Sequence, residues 1–282
     1  MGKSDAEQMR GTKRIINISN TSNISPVKLL SQNFNLLRKE AVGVISNPNE
    51  TLENKEIAFD NLELLVEQID NAMNIEKMNL WPQIISFLSF SEVSLRKYAI
   101  WVCGTAVQNN SQTQKAFVEK GGLKIILKIL KDSNEENEIR SKALYAVSGA
   151  IQHCEPGLTQ FEKEGGYDTL LSLLETSDDL NIFRKVVFLL TSLLTQNKNA
   201  IITQIKDKPF NKQIIKLLGK FYAEDEDLAD KILKIFLLEF KETSLFSKDE
   251  INELRIILPE IKKKHKNILT STEWAELESK VQ

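Results

Sequence analysis

Cysteine and histidine are nearly absent, with two of each in 282 residues. Cys103 and Cys154 both fall inside apolar helical patterns, which predicts two reduced core thiols rather than a disulfide. His153 and His265 stand far apart, so no metal-ligand spacing is present and no cofactor is expected. Net charge is scarce too, 37 basic residues standing against 39 acidic ones. Such a balance argues against nucleic acid as a partner, since that needs a concentrated basic face. The run from Lys262 to Lys266 reads as a solvated helix end. No stretch approaches the roughly 18 apolar residues of a membrane span, and the first residues lack the apolar core of a secretory signal. Ala6 stands where a myristoylation signal carries Ser or Thr. A soluble, cytoplasmic chain with no membrane partner is the expectation. Also missing are a phosphate loop, a Gly-x-Ser-x-Gly elbow and any paired Cys/His motif, so no catalysis is expected.

What is present is a repeat. Arg96, Ala99, Ala106 and Gln108 recur as Arg140, Ala143, Ala150 and Gln152, each 44 positions on. At the same spacing Phe117, Gly121, Gly122, Leu127 and Leu130 recur as Phe161, Gly165, Gly166, Leu171 and Leu174. A third copy begins at Phe183-Arg184, with Ser192 under Ser148 and Gln196 under Gln152. Helical patterns repeating every ~40–47 residues mark an armadillo or HEAT solenoid. The expected fold is therefore all-α: an armadillo-repeat solenoid of about four three-helix repeats with N- and C-terminal capping helices.

Residues 1–25 are polar and rich in Ser, Asn and Lys, which predicts a disordered arm ahead of one domain over 26–282. A first helix opens at Pro26 and runs to about Ser46; a second starts near Thr51 and ends in a polar corner, Asp70 to Asn74. Third helices of the repeats are expected at Glu92–Asn109, capped by Ser91, at Asn137–Gln152 and at Leu180–Gln196. The Gly-Gly pairs let the chain reverse in a left-handed conformation between close helices. In a weaker fourth cycle Asp207-Lys208-Pro209 replaces the pair. Ser247–Lys264 and Thr272–Val281 read as capping helices.

The third helix of an armadillo unit lines the inner face, and residues three, four and seven apart share one side. Trp101, Thr105 and Gln108 form one such stripe; Tyr145, Gly149 and Gln152 the next; Leu189, Leu193 and Gln196 a third. Either Trp101 and Tyr145 meet a partner with Gln108 and Gln152, or they are packed core between repeats. The Trp/Asn ladder of nuclear-import armadillo proteins is missing, since Thr105, Gly149 and Leu193 occupy its second position. That weakens a peptide-groove reading.

The run Ala58 to Ala72, then Leu80-Trp81, then Gly104-Thr105-Ala106-Val107-Gln108-Asn109-Asn110, resembles the cytosolic armadillo nucleotide exchange factors of the heat-shock protein 70 chaperones, closest to the fungal members. The resemblance extends from about Pro26 to about Leu238. It implies a clamp on the chaperone's ATPase domain that promotes release of ADP and client, acting as a monomer with no catalytic residue. Implied contacts are Asp70, Asn71 and Ala72, then Gln108 and Asn109, then Arg184 or Lys185. Ala72 is small enough for close approach of a partner, or it packs between helices. Relatives open with a Leu-Leu-x-Trp helix, whereas the first tryptophan here is Trp81. Ile15, Ile16 and Ile18, beside Lys13 and Arg14, resemble the peptides such chaperones accept, so the arm either mimics substrate or is an inert tail with three chance isoleucines. The rival reading is an armadillo scaffold or adaptor that binds another protein or peptide through its concave face.

Overall fold

The computed structural model describes residues 40–239 and 246–281, and every regular element among them is helical. The arm, with Ile15, Ile16 and Ile18, and the helix start at Pro26 lie outside the described residues. Residues 40–46 (α1) are helical, as the end of that first helix should be. The chain divides into two compact units, one ending at Thr113 and the other beginning at Gln114.

In the first unit α2 (Leu52–Val66) begins at Thr51, whose hydroxyl accepts from Asn54 N at 3.2 Å and satisfies one of the free amides of the first turn. Next come α3 (Ile69–Lys77) and α4 (Trp81–Ser86), with Pro82 in the first turn, where a missing N–H leaves no bond unmade. A 3₁₀ turn, Phe87–Ser89, leads to α5 (Val93–Ala106). Two local expectations are corrected here. Ser91 does not cap α5; the cap residue is Glu92, with no side-chain bond, while the carbonyls of Phe90 and Ser91 receive Arg96 Nη1 at 2.7 and 3.3 Å. The stretch from Asp70 is not a corner but the start of α3, because Ala72 and Ile75, three apart, give that segment a buried side. Helix α2 packs on α5 around Phe59. That ring meets Phe87 edge-on at 5.6 Å and Tyr98 in a stack at 6.1 Å.

Helix α6 (Ser111–Glu119) runs across the division. The second unit then repeats a short helix, a second helix and a long third helix. These are α7 (Gly122–Lys131) and α8 (Asn137–Ile151), then α9 (Glu155–Lys163), α10 (Gly166–Thr176) and α11 (Leu180–Ile205). The glycine pairs divide their work. Gly121 and Gly165 take φ of 83° and 69°, the left-handed region that side chains resist. Gly122 and Gly166 are needed for space: a Cβ there would stand 2.1 Å and 2.3 Å from the rings of Phe117 and Phe161. Each repeat thus seats an aromatic ring directly on its own turn.

Helix α11 breaks at Asn197, with φ −152° and ψ 76°, so it joins the expected third helix to the first helix of the weaker cycle. Where that cycle lacks the glycine pair, Pro209 precedes α12 (Phe210–Phe221), and Lys208 forms an ion pair with Asp168. Helix α13 (Glu226–Glu239) packs on α11. Helix α14 (Lys248–Lys264) starts from Ser247, which exchanges hydrogen bonds with Glu250, and α15 (Ser271–Val281) packs on α14. The basic run at the end of α14 is partly employed, since Lys262 Nζ pairs with Glu278 at 2.6 Å.

Candidate functional site

The side chains singled out in the sequence divide between the two units. In the first, α3 opens with Ile69 and Asp70 exposed. Asn71 is partly buried and donates from Nδ2 to the Leu65 carbonyl at 2.8 Å, tying α3 to the end of α2. Ala72 is only 2% exposed, so it is core and not the contact proposed for it. On α5, Trp101 is half-buried and stacks on Tyr98 at 6.2 Å. Thr105 is also corrected. At 8% exposure it faces inward and donates to Glu63 Oε1 at 2.8 Å, joining α5 to α2. Gln108 folds back onto Gly104 O at 2.9 Å. Asn109 is exposed with φ 51°, a conformation that Asn tolerates better than most residues, in the turn that follows α5.

In the second unit the third helices α8 and α11 lie against each other. A polar ladder with the 44-residue period ties them together. Gln152 Nε2 donates to Ser148 Oγ, its Oε1 accepts from Ser192 Oγ at 2.9 Å, and Gln196 Oε1 accepts from His153 N at 2.7 Å. Gln152 is therefore engaged within the fold and only half-exposed. Gln114 adds two bonds, from Nε2 to Gly149 O at 2.6 Å and to Gln152 O at 2.9 Å. Along the same helices Tyr145 lies 5.7 Å from the Lys185 ammonium, ring to cation. Burial lowers the pKa of Lys185. Arg184 is exposed at its tip but held, Nε donating to Asp225 Oδ2 at 2.6 Å. The other oxygen of Asp225 accepts from Leu228 N at 3.1 Å and so caps α13.

The stripes read from the sequence need a correction. Thr105, Gly149, Leu189 and Leu193 are buried, so each stripe has the right spacing but sits on the wrong side of its helix. One residue turns the direction by about 100°, so a stripe started one position late, at Leu189 rather than Phe188, faces the core. The exposed line of α11 instead runs through Asn181, Arg184, Phe188 and Thr195. Phe188, at 52% exposure, escaped the sequence reading, and Ile69, whose helical period assigns it to the buried side of the second helix, is 57% exposed. Their signal was faint, because an apolar residue in a helical period is ordinarily assigned to the core.

This arrangement offers recognition by shape and charge. Cys103 and Cys154 are both buried, and burial pushes the Cys103 thiol well up, away from the reactive thiolate. Among the described residues no cluster of His, Cys, Asp and Glu could hold a metal ion, and no helix is long and apolar enough to cross a membrane.

Residues 71–269 match the model of the SIL1/FES1/HPBP1 C-terminal domain, and residues 27–75 that of the nucleotide exchange factor Fes1. A Candida glabrata protein named Hsp70 nucleotide exchange factor FES1 is 48% identical over 120 residues, 40% of this chain and 41% of that one. Its Schizosaccharomyces pombe namesake is 48% identical over 99 residues, 34% of each chain. Those alignments leave more than half of each relative's length unmatched. Among solved structures, a designed armadillo repeat protein in complex with a (KR)4 peptide superposes with TM-score 0.66 at 13% identity, covering 86% of this chain and 98% of its own. The armadillo-repeats-only protein of Plasmodium falciparum gives 0.61 at 15%, covering 78% and 99%. The fold is an all-α armadillo solenoid.

Proposed function

Because this chain belongs to the SIL1/FES1/HPBP1 family, we propose that it is a nucleotide exchange factor for a heat-shock protein 70 chaperone. It binds the ATPase domain as a monomer in the cytoplasm, favours the open form of the nucleotide cleft, and so speeds release of ADP and then of client. The observation that carries this reading is the pair of matched family models, which together span residues 27 to 269. The exposed and half-buried candidates in each unit are in keeping with it, since they present side chains to a surface. The contacts we assign are Asp70 and Asn71 beside Trp101, with Asn109 and the exposed edge of Gln108, and Tyr145, Arg184 and Lys185 in the second unit.

The mechanism needs only differential affinity. A protein that binds the open ATPase domain more tightly than the ADP-closed one shifts the equilibrium by that ratio, and nucleotide must weaken its binding by the same factor. A tenfold faster release corresponds to roughly 1.4 kcal/mol off the barrier. The test is stopped-flow release of a fluorescent ADP analogue from a preloaded chaperone. Acceleration of about tenfold or more is expected. An unchanged rate at saturating protein, with both proteins folded, would favour the scaffold reading instead.

A further inference from the structure

Four large apolar side chains are exposed among the described residues: Leu52, Ile69, Phe188 and Ile256. Phe188 is the aromatic one, and its surroundings are unlike an ordinary surface residue's. It sits on the open line of α11, where Asn181, Arg184 and Thr195 are also exposed and Lys185, Thr191 and Ser192 are half-buried. The ring therefore rises from a polar helix side. One turn back, at i−3, is Lys185. Its ammonium lies 5.7 Å from the Tyr145 ring and has no carboxylate within ion-pair reach among the described residues. Its neighbour Arg184 differs, being neutralised by Asp225. No acidic residue occurs on that line of the helix. A rigid aromatic beside a partly desolvated cation that lacks a counter-charge is the composition of an interface centre, where aromatics are enriched and charges find their complement across the boundary.

We propose that Phe188 is the apolar anchor of the contact between the second unit and the ATPase domain of the chaperone: its ring enters a hydrophobic depression on that domain, and Lys185 takes a carboxylate at the depression's rim. The proposal rests on the exchange-factor reading above. The occupant is defined by complementarity: it must supply both the apolar walls that the line through Phe188 lacks and the anion that Lys185 lacks. The Lys185 ammonium lies over the Tyr145 ring of α8, so the cation is offered one turn from Phe188 with part of its freedom already lost.

The test compares the full chain with Phe188→Ser, Phe188→Tyr, Lys185→Met and the control Ile256→Ser, whose residue is 74% exposed on α14. Binding to the nucleotide-free ATPase domain is measured by calorimetry at low and moderate salt, alongside ADP release. Phe188→Ser should weaken binding about tenfold or more, while Phe188→Tyr, which keeps the ring, stays within about threefold. Lys185→Met should weaken binding and flatten its salt dependence, as loss of an interfacial charge does. Ile256→Ser should bind as the parent does. All four should keep the parent's helical circular dichroism and melting temperature. If the parent binds and accelerates release but Phe188→Ser matches it, or if Ile256→Ser loses as much, the anchor assignment fails while the exchange-factor reading stands. If the parent itself neither binds nor accelerates release, that reading fails and the anchor falls with it.

Discussion

Replacing Gly166 by Ala isolates the steric role of the second glycine. A Cβ at this position would lie 2.3 Å from Phe161 Cδ2 and Cε2 and 2.4 Å from Cζ, against an ordinary contact of 3.4–4 Å. The ring would have to withdraw by more than about 1 Å. It has nowhere to go, being fully buried and held edge-on by Tyr167 at 5.2 Å. Overpacking of this kind costs about 1–3 kcal/mol, against roughly 0.5–1 kcal/mol that Ala gains over Gly in a helix. The net expectation is a loss of about 1–2 kcal/mol, read as a shift in the urea midpoint of the helical circular dichroism. Gly165→Ala should cost a comparable ~1–2 kcal/mol for a different reason, the left-handed φ of 69°, since its Cβ would meet nothing nearer than 3.8 Å. Shrinking the ring separates the two. Phe161→Leu should recover about 1 kcal/mol of the Gly166→Ala loss and none of the Gly165→Ala loss. The reasoning is refuted if Gly166→Ala is as stable as the parent, or if the smaller side chain rescues both glycine variants alike.

Three further outcomes follow from the buried and paired groups. Glu239 is buried with Oε2 unpartnered among the described residues, and burial raises its pKa from 4.5 to about 8, aided by the nearby Glu250. The folded state then holds a proton that the unfolded state has lost, so stability falls as pH rises from about 4.5 to 8; Glu239→Gln should remove that slope in melting scans and be the more stable form at pH 8. Ala72→Arg should lower the melting temperature, because a guanidinium forced into a site 2% exposed is both too large and unpaired, whereas Asp70→Ala should leave melting unchanged. Arg184→Ala would leave the buried carboxylate of Asp225 without its cation and should cost about 1–3 kcal/mol in denaturant titration. A loss that vanished in Asp225→Asn would confirm the pair as its source.

The sequence by itself determined the period and its punctuation. The 44-residue spacing, the Gly-Gly turns, the Pro in the first turn of α4 and the breaks between helices are local properties of the chain. A left-handed turn or a missing N–H acts within a few residues, whatever the rest of the molecule does. Even the Ser148–Ser192 and Gln152–Gln196 matches, visible as bare repetition, turned out to be a bonded ladder between neighbouring helices. Residues 1–25, where the arm was expected, lie outside the described residues.

Which side of each helix stays open was settled by packing between helices. Periodicity groups Trp101 with Thr105 and Tyr145 with Gly149, but it does not tell how the next helix rotates against the group. Stacking of α2 on α5 turned Thr105 inward to Glu63, and the helices packed on α11 leave Leu189 and Leu193 buried and Phe188 in water. Ala72 followed the same rule, its place set by helix packing rather than by the polar residues beside it. Burial depends on the orientation of residues some 40 positions away in sequence, and the packing of neighbouring repeats fixes that orientation.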